Sequence, residues 1–199
     1  WRALHSLADA EGGRLLTVPT LAELLRDAGR RTVCAGSGSP GTTYLLNPTA
    51  TAPVVNWATA WPPTVAERVG GFLDEASDSL ERTDFVLRVL YEELIPQERP
   101  DVVVLWVTEP DHAQHAHGLG APESLAALRE VDCRLEELIA HLGDAYGAEP
   151  DVLVTSDHGF STITERIPLR EEMDGLREIP GLEGLGAGGF KIDNPNPVW

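Results

Sequence analysis

Residues 102–107, Val-Val-Val-Leu-Trp-Val, run without a polar interruption. A half-buried strand alternates apolar with polar side chains, and a membrane helix needs about 20 apolar residues, so so short a run reads as a strand covered on both faces. Such strands belong to parallel sheets whose crossovers lay helices over them. The flanking sequence agrees. Residues 122–143 open with Pro122, carry Leu125, Leu128, Val131, Leu135, Leu138, Ile139 and Leu142 at helical spacing, and close at Gly143. A second apolar stretch, 151–155, follows Pro150. Strand, helix, strand predicts a right-handed parallel crossover. The expected fold is α/β: one domain over 1–199, a parallel sheet with helices on both faces, and an irregular Gly/Pro-rich tail at 181–199.

Upstream, Thr20 and Glu23 form a capping box ahead of Leu21, Leu24 and Leu25, with Gly29 as the stop. Residues 32–35 read as a strand and 36–41 as the loop beyond it. The prolines at 48, 53, 62 and 63 exclude a long helix, so 44–63 is expected to be irregular, with Trp57 and Trp61 covering the core edge. Asp78 and Glu81 cap a further helix whose Phe85, Val86, Val89, Leu90 and Leu94 share a stripe and which should end before Pro96. Cys34 and Cys133 are too few for a disulfide scaffold and read as packing residues.

Charge narrows the function. With 32 acidic and 15 basic residues the formal net charge is −17, which disfavours binding nucleic acid through a basic surface. A small phosphorylated substrate would need a local cation, such as a metal. No apolar run is long enough for a membrane span. The chain begins at Trp1 and stops at Trp199 just after a Pro-Asn-Pro run, and so looks like an excised piece whose ends do not place it in a compartment.

Two loops follow the two apolar strands, and both begin with metal-ligand residue types. One reads EPDHAQHAHG from Glu109, and the other reads SDHG from Ser156. Ligands of open parallel sheets bind outside the carboxyl ends of the strands, where both loops are expected to sit. Alone, an Asp-His dipeptide reads as a turn, and three histidines in six residues as a solvated loop. An Asp and a His at each of two successive strand ends can instead hold two divalent ions that clamp a phosphoryl group. A glycine-rich stretch, GSGSPG from Gly36, fits the letters of a dinucleotide fingerprint. It is set aside, because Pro40 and the residues after it promise no helix and the next acid is Glu67.

The segment VVVLWVTEPDHAQHAHGLG, followed one helix later by VLVTSDHGFS, resembles the type I phosphodiesterase/nucleotide pyrophosphatase family of the alkaline phosphatase superfamily. Pro110, Asp111, His115 and Gly118 keep that family's spacing, with Gln114 in place of a glycine. The stretch TVPTLAELLRDAGRRTVCAGSGSPGTTYLLNP is similar to the region after the family's nucleophile, so the resemblance spans most of 17–163. It implies that Asp111 and His115 are two ligands of one metal site and that Asp157 and His158 are two ligands of the other. Asp132 matches only a helix position, while His112 and His117 match no ligand and are expected to face solvent or support the ligands. His5 and His141 are expected at the surface.

The resemblance implies two zinc ions, with manganese as the alternative, and a threonine nucleophile attacking phosphodiester or pyrophosphate bonds. An early Asp ligand, that threonine and a later His have no match in this chain, so the fragment holds half of each site and is expected to be inactive alone. Phosphonoacetate hydrolases, sulfatases and phosphoglycerate mutases share the metal core and stand as alternatives, as does a non-catalytic α/β module.

Overall fold

The computed structural model describes residues 2–49 and 52–163. The chain divides into two compact units, 1–156 and 157–199, and every regular element among the described residues lies in the first. The expected tail at 181–199 lies outside the described residues.

A helix α1 (Arg2–Ala10) precedes α2 (Leu21–Asp27), whose capping box forms as its residues predict: the Glu23 N–H donates to Thr20 Oγ1 at 3.2 Å and the Thr20 N–H donates to Glu23 Oε2 at 2.8 Å. The buried face of α2 is not the leucine face. Ala22 and Glu23 are buried while Leu21 and Leu24 stay more than half exposed. Strand β1 (Thr32–Gly36) follows and is buried throughout.

Two expectations after β1 are corrected. Residues 40–45 form a short helix, α3 (Pro40–Leu45), because Ser39 Oγ accepts the Thr42 N–H at 3.1 Å and Pro40 occupies the first turn, where its missing N–H costs nothing. The stretch read as irregular contains β2 (Val54–Asn56) and β3 (Thr59–Trp61), an antiparallel pair whose prolines lie outside the paired residues. Trp57, between them, lies in the core itself rather than at its edge, and Trp61 is half-buried.

Helix α4 (Pro63–Val69) leads to α5 (Ser79–Val89), capped by Asp78 and Glu81 as predicted. The helical path does not stop before Pro96: it continues through a π-helical turn (Leu90–Leu94) into α6 (Ile95–Glu98). The wider turn changes the hydrogen-bond register just where proline lacks a donor. Strand β4 (Val102–Trp106), α7 (Asp111–His117) and α8 (Pro122–Tyr146) complete the order. Helix α8 runs past Gly143 and ends at Gly147, which adopts φ 68°, a conformation that favours glycine.

The sheet has the order β3-β2-β1-β4, with β2 and β4 both parallel to β1 and β3 antiparallel, so it is mixed and mostly parallel. Val33 and Ala35 of β1 face a core built with Phe85, Val86, Val89, Leu90, Leu94 and Leu138. The opposite face meets α3, where a Cβ on Gly36 would lie 2.5 Å from Thr43 Oγ1. Helices therefore cover both faces, in an α/β architecture consistent with an alkaline phosphatase-like core. Truncating a fully buried member such as Leu90 to Ala should cost about 2–5 kcal/mol.

The second expected strand is not formed. Residues 151–155 make no ladder, and Val152, Leu153 and Val154 are 49%, 91% and 74% exposed. β4 is half-buried along its length and, among the described residues, has no neighbour beyond it. Apolar content reports a preference for burial; a strand also needs a paired backbone. No helix of the described residues is long and apolar enough to cross a membrane.

Candidate functional site

β1 and β4 run parallel, so their carboxyl ends lie together. The Ser37 N–H donates to the Trp106 carbonyl at 2.9 Å, and the Thr108 N–H donates to Ser37 Oγ at 3.2 Å. Thr108 Oγ1 also lies 3.0 Å from Ser79 Oγ at the start of α5. Past this junction the Glu109–Pro110 bond is cis, and the chain turns directly into α7.

That turn corrects the expected loop. Residues 111–117 are helical, and the Glu109 carboxylate accepts the Ala113 N–H at 3.1 Å, satisfying one of the free donors of the first turn. Asp111 and His115 thereby stand one helical turn apart on one face, the geometry of an i, i+4 pair. His115 Nε2 lies 3.5 Å from Asp111 Oδ1. Two ligands about 2.1 Å from one zinc ion at a tetrahedral angle sit about 3.4 Å apart, so this pair already has the bite of a chelate.

In the second unit, Asp157 and His158 are neighbours. Asp157 Oδ1 accepts the His158 N–H at 3.0 Å and lies 3.7 Å from His158 Nε2. His158 Nδ1 is 2.9 Å from the Gly159 carbonyl oxygen, which can only accept, so Nδ1 donates in this contact. Orientation of a ring through its far nitrogen is the usual support for a metal-binding histidine. Each pair thus brings one carboxylate and one imidazole, a donor set that fits zinc or manganese as half of a site. Among the described residues no group of three or more His, Cys, Asp or Glu could hold an ion by itself.

His112 and His117 are both exposed, and so is His115. Asp132 is exposed on α8. His141 is not a free surface residue: its ring stacks on Tyr91 with centroids 4.5 Å apart. The His5 side chain, expected at the surface, lies outside the described residues.

Sequence reasoning missed the cleft beside α7. Ser37, Ser39, Trp57, Arg82, Thr108 and His112 line it at the carboxyl ends of β1 and β4. The glycine-rich stretch set aside earlier forms one wall. A helix does begin there, against expectation, yet the acid of a dinucleotide site is absent: position 56 is an asparagine whose Nδ2 donates to the carbonyls of Gly36 at 2.8 Å and Gly38 at 2.9 Å. That stretch holds strand ends in place.

The sequence pattern of the type I phosphodiesterase / nucleotide pyrophosphatase family matches residues 7–185. Over 75 residues the chain is 37% identical to ectonucleotide pyrophosphatase/phosphodiesterase family member 7 of Homo sapiens, covering 35% of this chain and 16% of that protein. The chain thus spans a small part of the length of that relative. No solved structure matches. With the pattern covering most of the chain, and with the Asp111–His115 and Asp157–His158 pairs each arranged as carboxylate beside imidazole, the chain belongs to the type I phosphodiesterase / nucleotide pyrophosphatase family.

Proposed function

We propose that this chain supplies half of each site of a two-metal hydrolase of phosphodiester or pyrophosphate bonds, with Asp111 and His115 for one ion and Asp157 and His158 for the other. The observation that carries the reading is the 3.5 Å separation of His115 Nε2 and Asp111 Oδ1 across one turn of α7, in a chain of this family. Zinc is the ion proposed and manganese the alternative. Bound ions would activate a hydroxyl nucleophile, hold the phosphoryl oxygens and neutralise the leaving group.

The chain's own residues do the positioning. The cap from Glu109 and the Ser37–Thr108 bond fix where α7 starts, and Ser124 Oγ, donating to the Gly118 carbonyl at 2.8 Å, fixes where it stops. Asp111 and His115 are therefore held by both ends of a short helix. The small phosphorylated substrate proposed is a nucleotide or a similar phosphodiester.

Calorimetric titration with zinc tests the reading. Two protein ligands per ion predict weak binding, and Asp111→Asn and Asp157→Asn should each remove one set of sites. Isotherms identical to that of the unaltered chain would remove these residues as ligands.

A further inference from the structure

In the sheet, β1 continues toward β2 on one side while β4 lies on the other. Open parallel sheets have a crevice where neighbouring strand connections part, and ligands bind there. Here it is a cleft of about 720 Å³. Its wall carries a cation in an unusual state. The Arg82 guanidinium carbon lies 3.9 Å from the centroid of the Trp57 ring, so the indole covers one face of the group. Nη2 donates to the Glu75 carbonyl at 2.9 Å, while Nε is shielded from solvent with no acceptor. Among the described residues Arg82 makes no ion pair, whereas Arg134 on α8 pairs with both Asp84 and Glu130.

A guanidinium pinned flat, partly desolvated and in no ion pair gains from an anion that completes its hydrogen bonds. Its donors suit the oxygens of a phosphate, which can accept two parallel N–H bonds. The platform beneath is itself fixed, because the Trp57 indole N–H donates to the Gly38 carbonyl at 2.8 Å. A pre-positioned cation loses little freedom on binding.

We propose that Arg82, stacked on Trp57, is the anion-binding residue of a subsite in this cleft and takes a phosphate group of a small phosphorylated ligand. His112 lines the same cleft and directly follows Asp111, so the subsite adjoins the first half-site. The ligand's identity rests on the function proposed above: the phosphate held by Arg82 is one that is not being cleaved, carried by the leaving group of a pyrophosphate or nucleotide substrate. Asp74 and Glu75 share the cleft and oppose the anion, which limits how much negative charge it accepts.

The test is titration of the 199-residue chain with inorganic phosphate in the presence of EDTA, read by the nuclear magnetic resonance of the Trp57 indole N–H. Saturable binding is expected in about the millimolar range. Arg82→Gln should weaken it about tenfold or more, the scale of a lost charge-assisted hydrogen bond. Arg82→Lys should weaken it less, and Glu75→Gln should strengthen it. Absence of binding, or equal binding by Arg82→Gln with circular dichroism unchanged, overturns the subsite. If Arg82→Gln does not fold, unchanged affinity in both Arg82→Lys and Glu75→Gln overturns it.

Zinc separates the two proposals. Phosphate binding in EDTA that depends on Arg82 supports the subsite even if zinc never binds. Phosphate binding seen only with zinc, and lost in Asp111→Asn, supports the half-site and overturns the subsite.

Discussion

The Thr108 N–H donates to the Ser37 hydroxyl oxygen across 71 positions of sequence, at 3.2 Å, and ties the end of β4 to the end of β1. Ser37 is 1% exposed, so water cannot easily replace its oxygen. Ser37→Ala should lower stability by about 1–3 kcal/mol, the cost of stranding a shielded donor. Urea unfolding would read the loss, and a difference under about half a kilocalorie would show that the bond is dispensable.

Glu23 makes stability depend on acidity. The Thr20 backbone N–H is the main cause holding its carboxyl below the usual 4.5, with help from the Thr20 hydroxyl and Arg14, against the opposing effect of burial. A depressed carboxylate contributes fully above its unfolded value and loses that contribution as the pH falls through the folded one. The urea midpoint should therefore drop between about pH 5 and about pH 3, and Glu23→Gln should flatten that part of the profile. Parallel profiles for the two proteins would deny the capping box this role.

The two cysteines should differ in reactivity. Burial pushes the Cys34 thiol up to about 12, whereas Cys133, expected to pack, is exposed on α8. Thiolate is the reacting form, so iodoacetamide near neutral pH should label Cys133 and spare Cys34 until the protein unfolds. Mass spectrometry of peptides settles it; early labelling of Cys34 would mean that β1 opens readily.

The 199-residue chain should not hydrolyse a nitrophenyl phosphodiester, even with zinc supplied. Each proposed ion has two ligands here, and no residue of the chain matches the family's threonine. Loss of a nucleophile leaves only residual catalysis from charge stabilisation, and an incomplete metal set weakens that as well. Zinc-dependent turnover at a rate near that of a complete family member, abolished by Asp157→Ala, would place the attacking group inside this chain.

Local chemistry was legible and pairing was not. The caps at Thr20 and Asp78 are decided within four residues, and both form as read. Prolines misled twice in the same direction: Pro40 starts α3 rather than preventing it, and Pro96 is absorbed after a π-helical turn that no periodicity announces. Val54–Asn56 is too short to show alternation and depends on a register with residues 34–36, far along the chain. The proposed pair Asp111 and His115 is singled out by the family resemblance, while its helical spacing is hidden because the bond from the Ala113 N–H to the Glu109 carboxylate is not readable from residue type. Arg82 was invisible because an arginine after a capping Glu81 reads as surface until its tertiary neighbour Trp57 is known.

β4 keeps one side of its backbone unpaired among the described residues, and the apolar Val152, Leu153 and Val154 lie in the open. In solution these are adhesive elements, since an unpaired edge is a template for another chain. The net charge of −17 opposes such association, and that repulsion reaches only about 10 Å once salt is near 0.1 M. The chain should thus behave opposite to a protein that salt dissolves: dispersed in dilute buffer, and gathering into larger species as ionic strength or concentration rises.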